Sequence, residues 1–151
     1  MSEQGWMMAA FNEAVAAGQR GECPVGAVLV KDAKIIARAG NEELARSDAT
    51  AHAEILCLRR GGRALGSHVL KECTMYTTLW PCPMCQGAML QARIERVVAG
   101  ATSFRWIRQV RFNPSNLQIT GPVMQRQCRL LFVDWAKANG RLEILSMEER
   151  D

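Results

Sequence analysis

The sequence predicts an α/β fold in which a central sheet is covered by helices on both faces. Two observations carry this prediction: segments of strand length alternate with longer segments of helical period, and some of the strand-like runs are almost continuously apolar. The 151 residues, 48% of them apolar, suffice for the core of one domain. Because no repeat, low-complexity tract or linker-like segment interrupts the chain, we expect a single domain over residues 1–151.

The first elements are predicted to be a helix and a β-hairpin. Residues 6–17 carry apolar side chains at a helical period, and Gly18 is expected to end that helix. Residues 25–30 form a near-continuous apolar run. Lys31-Asp32 then turns the chain into a second strand at 34–39, which predicts a hairpin although the turn lacks glycine.

The remaining elements continue this alternation. They are predicted as a helix at 50–60, a strand at 74–78, a helix at 83–92, strands at 95–101 and 117–120, and a helix at 124–138. Gly61 and Gly62 are expected to stop the helix at 50–60. Pro81 and Pro83 flank the start of the helix at 83–92, where proline is tolerated.

Composition and charge exclude several classes of protein. A charged fraction of 23% excludes a disordered or fibrous chain. The 19 basic and 15 acidic residues give a net charge of +4, which is compatible with an anionic or nucleic-acid partner but does not require one. The apolar stretches are shorter than the ~20 residues of a membrane span, and the N-terminus lacks the profile of a signal peptide. We therefore expect a cytoplasmic protein with no membrane partner.

Six cysteines in a chain without a secretory signal are expected to be thiols or metal ligands rather than a disulfide framework. Two of them, Cys82 and Cys85, belong to a metal motif described next. The other four are expected to be reduced, buried and packed as small apolar residues: Cys23, Cys57, Cys73 and Cys128.

His52, Cys82 and Cys85 form the predicted metal site. Two thiolates at positions i and i+3 lie on one side of a helical turn and can reach one ion. All three residues stand near predicted helix starts, where free N–H groups favour thiolate over thiol. A Cys2His donor set leaves one tetrahedral position for water, which is typical of a catalytic zinc.

Glu54 is the predicted catalytic residue. Positions i and i+2 of a regular helix are ~200° apart, so His52 and Glu54 would share a face only at a helix terminus. There we expect Glu54 to contact zinc-bound water without binding the metal, and to take and return a proton.

Each half of this motif is weak alone: Cys-x-x-Cys also occurs in structural zinc sites and redox pairs, and His-Ala-Glu in surface helices. Together and in this order, with Pro81 before Cys82, they match the H-x-E and P-C-x-x-C signature of zinc deaminases. A structural zinc in a non-catalytic binding module is the alternative, and it would need a fourth ligand. The candidates, none at ligand spacing, are His68, Cys23, Cys57, Cys73 and Cys128.

On these residues the chain resembles the cytidine deaminase-like superfamily, in particular its small single-domain branch of cytosine, guanine and bacterial tRNA adenosine deaminases. The resemblance covers about residues 6–103. Residues 23–30 look like the family's first strand, 51–55 like its first metal helix, 77–93 like its second, and 96–101 like the strand that follows. It implies a three-layer α/β/α fold with a five-stranded mixed sheet, and assembly as a homodimer or larger oligomer.

The resemblance also implies roles for single residues. His52, Cys82 and Cys85 match the family's zinc ligands, and Glu54 matches its proton shuttle. Asn41 matches an asparagine that holds the base through its amide; turn formation is the alternative role for Asn41.

Two segments depart from the family pattern. Trp80 stands where many relatives carry glutamate or serine, and we expect it to line the substrate pocket. Residues 102–106 lack the acidic, glycine-containing loop typical of the tRNA enzymes. Instead, Phe104 resembles in position the aromatic that closes the pocket of small cytosine deaminases; core packing is its alternative role.

These expectations combine into a zinc-dependent hydrolytic deaminase that releases ammonia from a small-molecule aminated heterocycle, with a cytosine- or guanine-type free base favoured. The alternative is a tRNA-specific adenosine deaminase. Residues 104–112 support it because they interleave arginines with aromatics, as suits flipped single-stranded bases. A solvated arginine face also explains that segment, and the modest charge and the missing loop favour the free base.

Overall fold

The computed structural model describes residues 1–102, 116–145 and 147–150. Five strands form its centre: β1 (Gly26–Lys31), β2 (Lys34–Gly40), β3 (Thr74–Leu79), β4 (Arg96–Ala101) and β5 (Gln118–Thr120). They lie in the order β2-β1-β3-β4-β5. Strand β1 is antiparallel to β2 and β3, whereas β4 is parallel to β3 and β5. The prediction of an α/β fold with a five-stranded mixed sheet is confirmed.

Helices cover both faces of the sheet. They are α1 (Glu3–Gln19), α2 (Glu43–Arg46), α3 (Ala53–Leu65), α4 (Pro83–Gln91), α5 (Gln125–Ala138) and α6 (Met147–Arg150), with a 3-10 turn at Leu142–Ile144. Alternate residues of β1 point to opposite faces, so Gly26 meets α1 and Leu29 meets α3. Helix α5 packs beside α1, and α4 packs beside α3. The molecule therefore has three layers, helix on sheet on helix.

Helix α1 and the following hairpin were predicted, but both ends of the helix and the turn, predicted at Lys31-Asp32, are corrected. The helix starts earlier than expected because Ser2 caps it: the Ser2 hydroxyl accepts a hydrogen bond from the Gly5 amide at 3.1 Å. Gly18 lies inside the helix and does not end it. The hairpin turn is formed by Asp32 and Ala33, both with positive φ, which matches the right-handed twist of the two strands.

Helix α3 is longer than predicted because Gly61 and Gly62 continue it. It ends at Gly66, which adopts the left-handed conformation with φ of 61°. A Cβ atom on Gly61 would lie 2.5 Å from Cδ2 of Leu29. The missing side chain at Gly61 therefore serves the close packing of α3 on the sheet, and it does not mark a break.

The architecture brings two helix starts to one edge of the sheet. Helix α3 begins just after β2 and α2, and α4 begins just after β3. Their first turns lie next to each other beside the carboxyl end of β3. In the described part of the chain, no helix is long and apolar enough to cross a membrane.

Candidate active site

Two helix N-termini place the predicted metal ligands. His52 is the N-cap residue of α3 and Cys82 the N-cap residue of α4, and both have extended backbone conformations. Pro83 occupies the first turn of α4, where its missing N–H leaves no bond unmade. Cys85 lies in the same turn. One ligand atom from each of His52, Cys82 and Cys85 lies within 4.8 Å of the other two.

The spacing of these atoms fits a zinc ion. Nδ1 of His52 lies 3.6 Å from Sγ of Cys82 and 3.5 Å from Sγ of Cys85. Around a tetrahedral zinc, with Zn–S near 2.3 Å and Zn–N near 2.0–2.1 Å, nitrogen and sulfur ligands lie about 3.6 Å apart. Among the described residues this group of His, Cys, Asp and Glu side chains has three members, so it offers no fourth ligand for a structural zinc.

Close contact among the three side chains shifts their pKa values. A hydrogen bond from Cys85 lowers the pKa of Cys82 to about 4, and a hydrogen bond to Cys82 together with burial raises the pKa of Cys85. The contact with Cys82 also raises the pKa of His52 to about 9. Metals bind thiolate and neutral imidazole, so a divalent cation would bind here with release of protons.

Glu54 lies beside this group in a buried position, with 3% of its surface exposed. Its Oε1 accepts a hydrogen bond from the Thr77 hydroxyl at 2.9 Å, and its Oε2 lies 3.7 Å from Sγ of Cys85. Burial raises the pKa of Glu54. His52 and Glu54 both reach Cys85 because His52 precedes the helix and Glu54 lies in its first turn, the placement at a helix terminus that the sequence predicted.

Asn41 is buried at the wall of the same site, but its amide is already engaged. Its Oδ1 accepts a hydrogen bond from the backbone amide of Ala53 at 2.8 Å, which holds the first residue of α3. Its Nδ2 donates to Oε1 of Glu43 at 3.1 Å. Asn41 therefore anchors the helix that carries His52, a role that the sequence did not indicate.

A cavity of about 360 Å³ opens onto these side chains. This volume lies within the range of small-molecule sites. Trp80 lines the cavity, as expected from the sequence, together with Asn41 and Glu54. Cys23 also lines it and is only half-buried, which corrects its assignment to the core, whereas Cys57, Cys73 and Cys128 are buried free thiols.

A model of the MafB19-like deaminase family matches residues 1–131. This chain belongs to the MafB19-like deaminase family. The matched range includes the metal motif, all of the described sheet and part of α5. The expected relationship to the cytidine deaminase-like superfamily, and the expectation of a deaminase, are confirmed at this level.

Curated relatives of this MafB19-like chain carry related names. The chain is 36% identical over 140 residues to the tRNA-specific adenosine deaminase of Buchnera aphidicola, covering 87% of this chain and 92% of that protein. It is 55% identical over 98 residues to the chloroplastic tRNA(adenine(34)) deaminase of Arabidopsis thaliana, covering 64% of this chain. The chain spans only 7% of the length of that plant protein.

Solved structures show the same fold. A structure from work on A-to-I editing by tRNA:A34 deaminases superposes with a TM-score of 0.77 at 33% identity, covering 85% of this chain and 99% of that one. A guanine deaminase of Bacillus subtilis superposes with a TM-score of 0.65 at 38% identity, covering 68% of this chain and 66% of that one.

Several residues that line the cavity of this MafB19-like chain were not predicted from the sequence. Phe132 and Trp135 of α5 line the cavity, as do Arg141 and Ile144 beyond it. In the sequence the two aromatics are indistinguishable from the packed face of a helix, so only the tertiary structure identifies them. Phe104, and the segment 104–112, lie outside the described residues.

Proposed function

We propose that this chain is a tRNA-specific adenosine deaminase, which converts an adenosine in tRNA to inosine and releases ammonia. The observation that carries the proposal is the alignment with the Buchnera aphidicola enzyme of that name, which extends over 92% of that enzyme and 87% of this chain. It favours the alternative we drew from the sequence over the cytosine- or guanine-type free base.

The site geometry supports a hydrolytic deamination. A zinc ion held by His52, Cys82 and Cys85 would supply a water that is acidic enough to act as nucleophile near neutral pH. Glu54 accepts the proton of the attacking water and delivers it to the ring nitrogen beside the reacting carbon. Since Thr77 occupies Oε1 of Glu54, Oε2 is the oxygen that carries the proton. Glu54 then takes the second proton of that water, from the hydroxyl now on the reacting carbon, and passes it to the amine; the C–N bond breaks, the carbonyl forms and ammonia leaves.

The residues that line the cavity favour, as substrate, a base that is flipped out of a nucleic-acid strand. Trp80 and Trp135 line it, and flipped bases stack on aromatic side chains in this way. The guanidinium of Arg141 lies 6.0 Å from the centre of the Trp135 ring. A cation at this wall suits the phosphate beside a flipped nucleotide.

Free guanine is the second candidate substrate. The observation that favours it is the guanine deaminase of Bacillus subtilis, which is 38% identical over the matched part. Trp80 and Asn41 would line the site for either base, so the cavity wall does not by itself distinguish the two substrates.

The test measures ammonia release and inosine formation with a tRNA anticodon stem-loop, adenosine, adenine, guanine and cytosine as substrates. We expect inosine in the stem-loop, and Glu54→Gln should keep stoichiometric zinc while losing at least ~10²–10⁴-fold in turnover. Glu72→Gln, a surface carboxylate paired with Lys31, is the charge-matched control. Ammonia from guanine alone would establish the second candidate, and full activity of Glu54→Gln would remove Glu54 from the mechanism.

A further inference from the structure

Glu43 faces the edge of the His52 ring that points away from the thiols. Its Oε2 lies 3.6 Å from Nε2 of His52, while Nδ1 of the same ring lies 3.5 Å from Sγ of Cys85. A neutral imidazole carries its proton on one nitrogen and offers a lone pair at the other. A carboxylate beside Nε2 stabilises the form protonated there, and that form leaves Nδ1 free to bind a metal.

Glu43 is positioned by a hydrogen bond to its side chain and by its place in a helix. Its Oε1 accepts the hydrogen bond from Nδ2 of Asn41, and Asn41 in turn holds the start of α3. Glu43 is also the first residue of α2, a single helical turn. The carboxylate and the His52 ring are therefore connected through the backbone of α3 as well as by their direct contact.

A buried carboxylate fixes α2 from the far side. The two oxygens of Glu22 accept hydrogen bonds from the backbone amides of Leu44 and Ala45, each at 2.9 Å. Only 3% of Glu22 is exposed, so these two hydrogen bonds are shielded from solvent. Charge-assisted bonds of this kind are stronger than neutral ones. Glu22, which precedes β1, thereby sets where Glu43 lies.

We propose that Glu43 is a positioning residue of the metal site, holding His52 with Nε2 protonated and Nδ1 directed at the thiols, and that Glu22 acts through Glu43. The inference rests on the proposed zinc site at His52, Cys82 and Cys85. Partners on the non-ligating nitrogen of a histidine typically change metal affinity 10–100-fold. Glu43 also lines the cavity, so a direct contact with substrate is the competing role.

The first measurement is zinc affinity of the full chain by competition with a chromogenic chelator. We expect Glu43→Ala to weaken zinc binding 10–100-fold, and Glu43→Gln to weaken it less because an amide oxygen can still accept from Nε2. Glu22→Gln should weaken it as well, but only while Glu43 is present. In the double variant with Glu43→Ala it should add nothing, since both act on one interaction. Glu72→Gln should leave the affinity unchanged.

The second measurement is the Nε2–H proton of His52 in the zinc-loaded protein, followed by NMR. The chain has two histidines, so His68→Gln assigns the signals. In the parent protein this proton should be protected from exchange with water by the facing carboxylate. In Glu43→Ala it should exchange faster, an effect that a general loss of stability would not confine to one ring.

The outcomes separate the two proposals. If the parent protein binds no zinc, or if His52→Ala leaves zinc binding intact, the proposed metal site and this inference both fall. If the parent binds one zinc through His52 but Glu43→Ala has parental zinc affinity and a parental Nε2–H signal, only this inference falls. A raised KM with unchanged zinc affinity would make Glu43 a substrate contact instead.

Discussion

At the scale of single residues, the site depends on how the buried carboxyl group of Glu54 is held. A buried carboxylate is tolerated only where hydrogen bonds replace its hydration. Thr77, which is fully buried on β3, donates its hydroxyl proton to Oε1 of Glu54. The same hydroxyl lies 3.3 Å from the carbonyl oxygen of Leu79, but it has one proton and Glu54 is nearer. Thr77 therefore fixes one carboxyl oxygen and leaves the other facing the metal group.

Thr77→Val should impair the positioning of Glu54 without affecting zinc binding. Valine keeps the shape but removes the donor, and a buried acceptor left unpaired costs about 1–3 kcal/mol of stability. Turnover should fall, by up to ~10²-fold if the carboxyl group shifts by about 1 Å. Zinc content should not change, because Thr77 is not among the side chains proposed to hold the zinc.

Urea unfolding, zinc analysis and steady-state kinetics check this prediction. Thr74→Val, at the start of the same strand, is the matched control outside the cavity. Parental turnover in Thr77→Val would mean that Glu54 keeps its position without this hydrogen bond.

At the scale of elements, local signals predicted the helices that carry the metal ligands. The H-x-E and P-C-x-x-C motifs lie within single turns at helix starts, and short-range spacing fixes which side chains meet there. Helix α2 could not be predicted in this way, because four residues show no helical period. The hydrogen bonds from α2 to Glu22 span sequence separations of 22 and 23 residues, so only the folded chain identifies them.

Close contacts between elements at glycines also could not be predicted from the sequence. The contact of α1 with β1 at Gly26 can be tested by mutation. A Cβ atom on Gly26 would lie 2.1 Å from the backbone oxygen of Ala10 and 2.5 Å from the backbone nitrogen of Ala14, both on α1. Gly26→Ala must therefore move α1 away from β1, and we expect a loss of about 1–3 kcal/mol or more. Gly87→Ala in α4 is the control: no atom of the described residues outside the helix's own backbone lies within 4 Å of its Cβ, and alanine favours the helix by about 1 kcal/mol.

Urea unfolding of the two glycine variants measures the difference. Opposite signs for Gly26→Ala and Gly87→Ala are expected. Equal effects would show that the contact between α1 and β1 adapts to a methyl group, and that the close approach does not constrain the fold.

At the scale of the whole molecule, net charge alone could not identify the substrate class. The value of +4 sums 19 basic and 15 acidic residues, many of which pair with each other on the surface. In the proposed function, binding to RNA would depend instead on the cations near the cavity, of which Arg141 is one, and Arg141 would have to bind phosphate beside its ion pair with Glu143. This explains why the modest net charge led the sequence to favour a free base, whereas the relatives' names led us to propose tRNA.

Salt dependence distinguishes these substrate classes because a stem-loop carries phosphate charges and guanine is neutral. If the bound stem-loop makes about three phosphate contacts, raising the salt concentration from about 50 mM to about 200 mM should weaken its binding roughly twentyfold. Measured as KM at several salt concentrations, the stem-loop should give a steep slope and adenosine or guanine a flat one. Arg141→Gln should reduce the stem-loop slope by about one contact. A stem-loop KM that does not respond to salt would contradict tRNA as the substrate, since the phosphates would then make no contribution to its recognition.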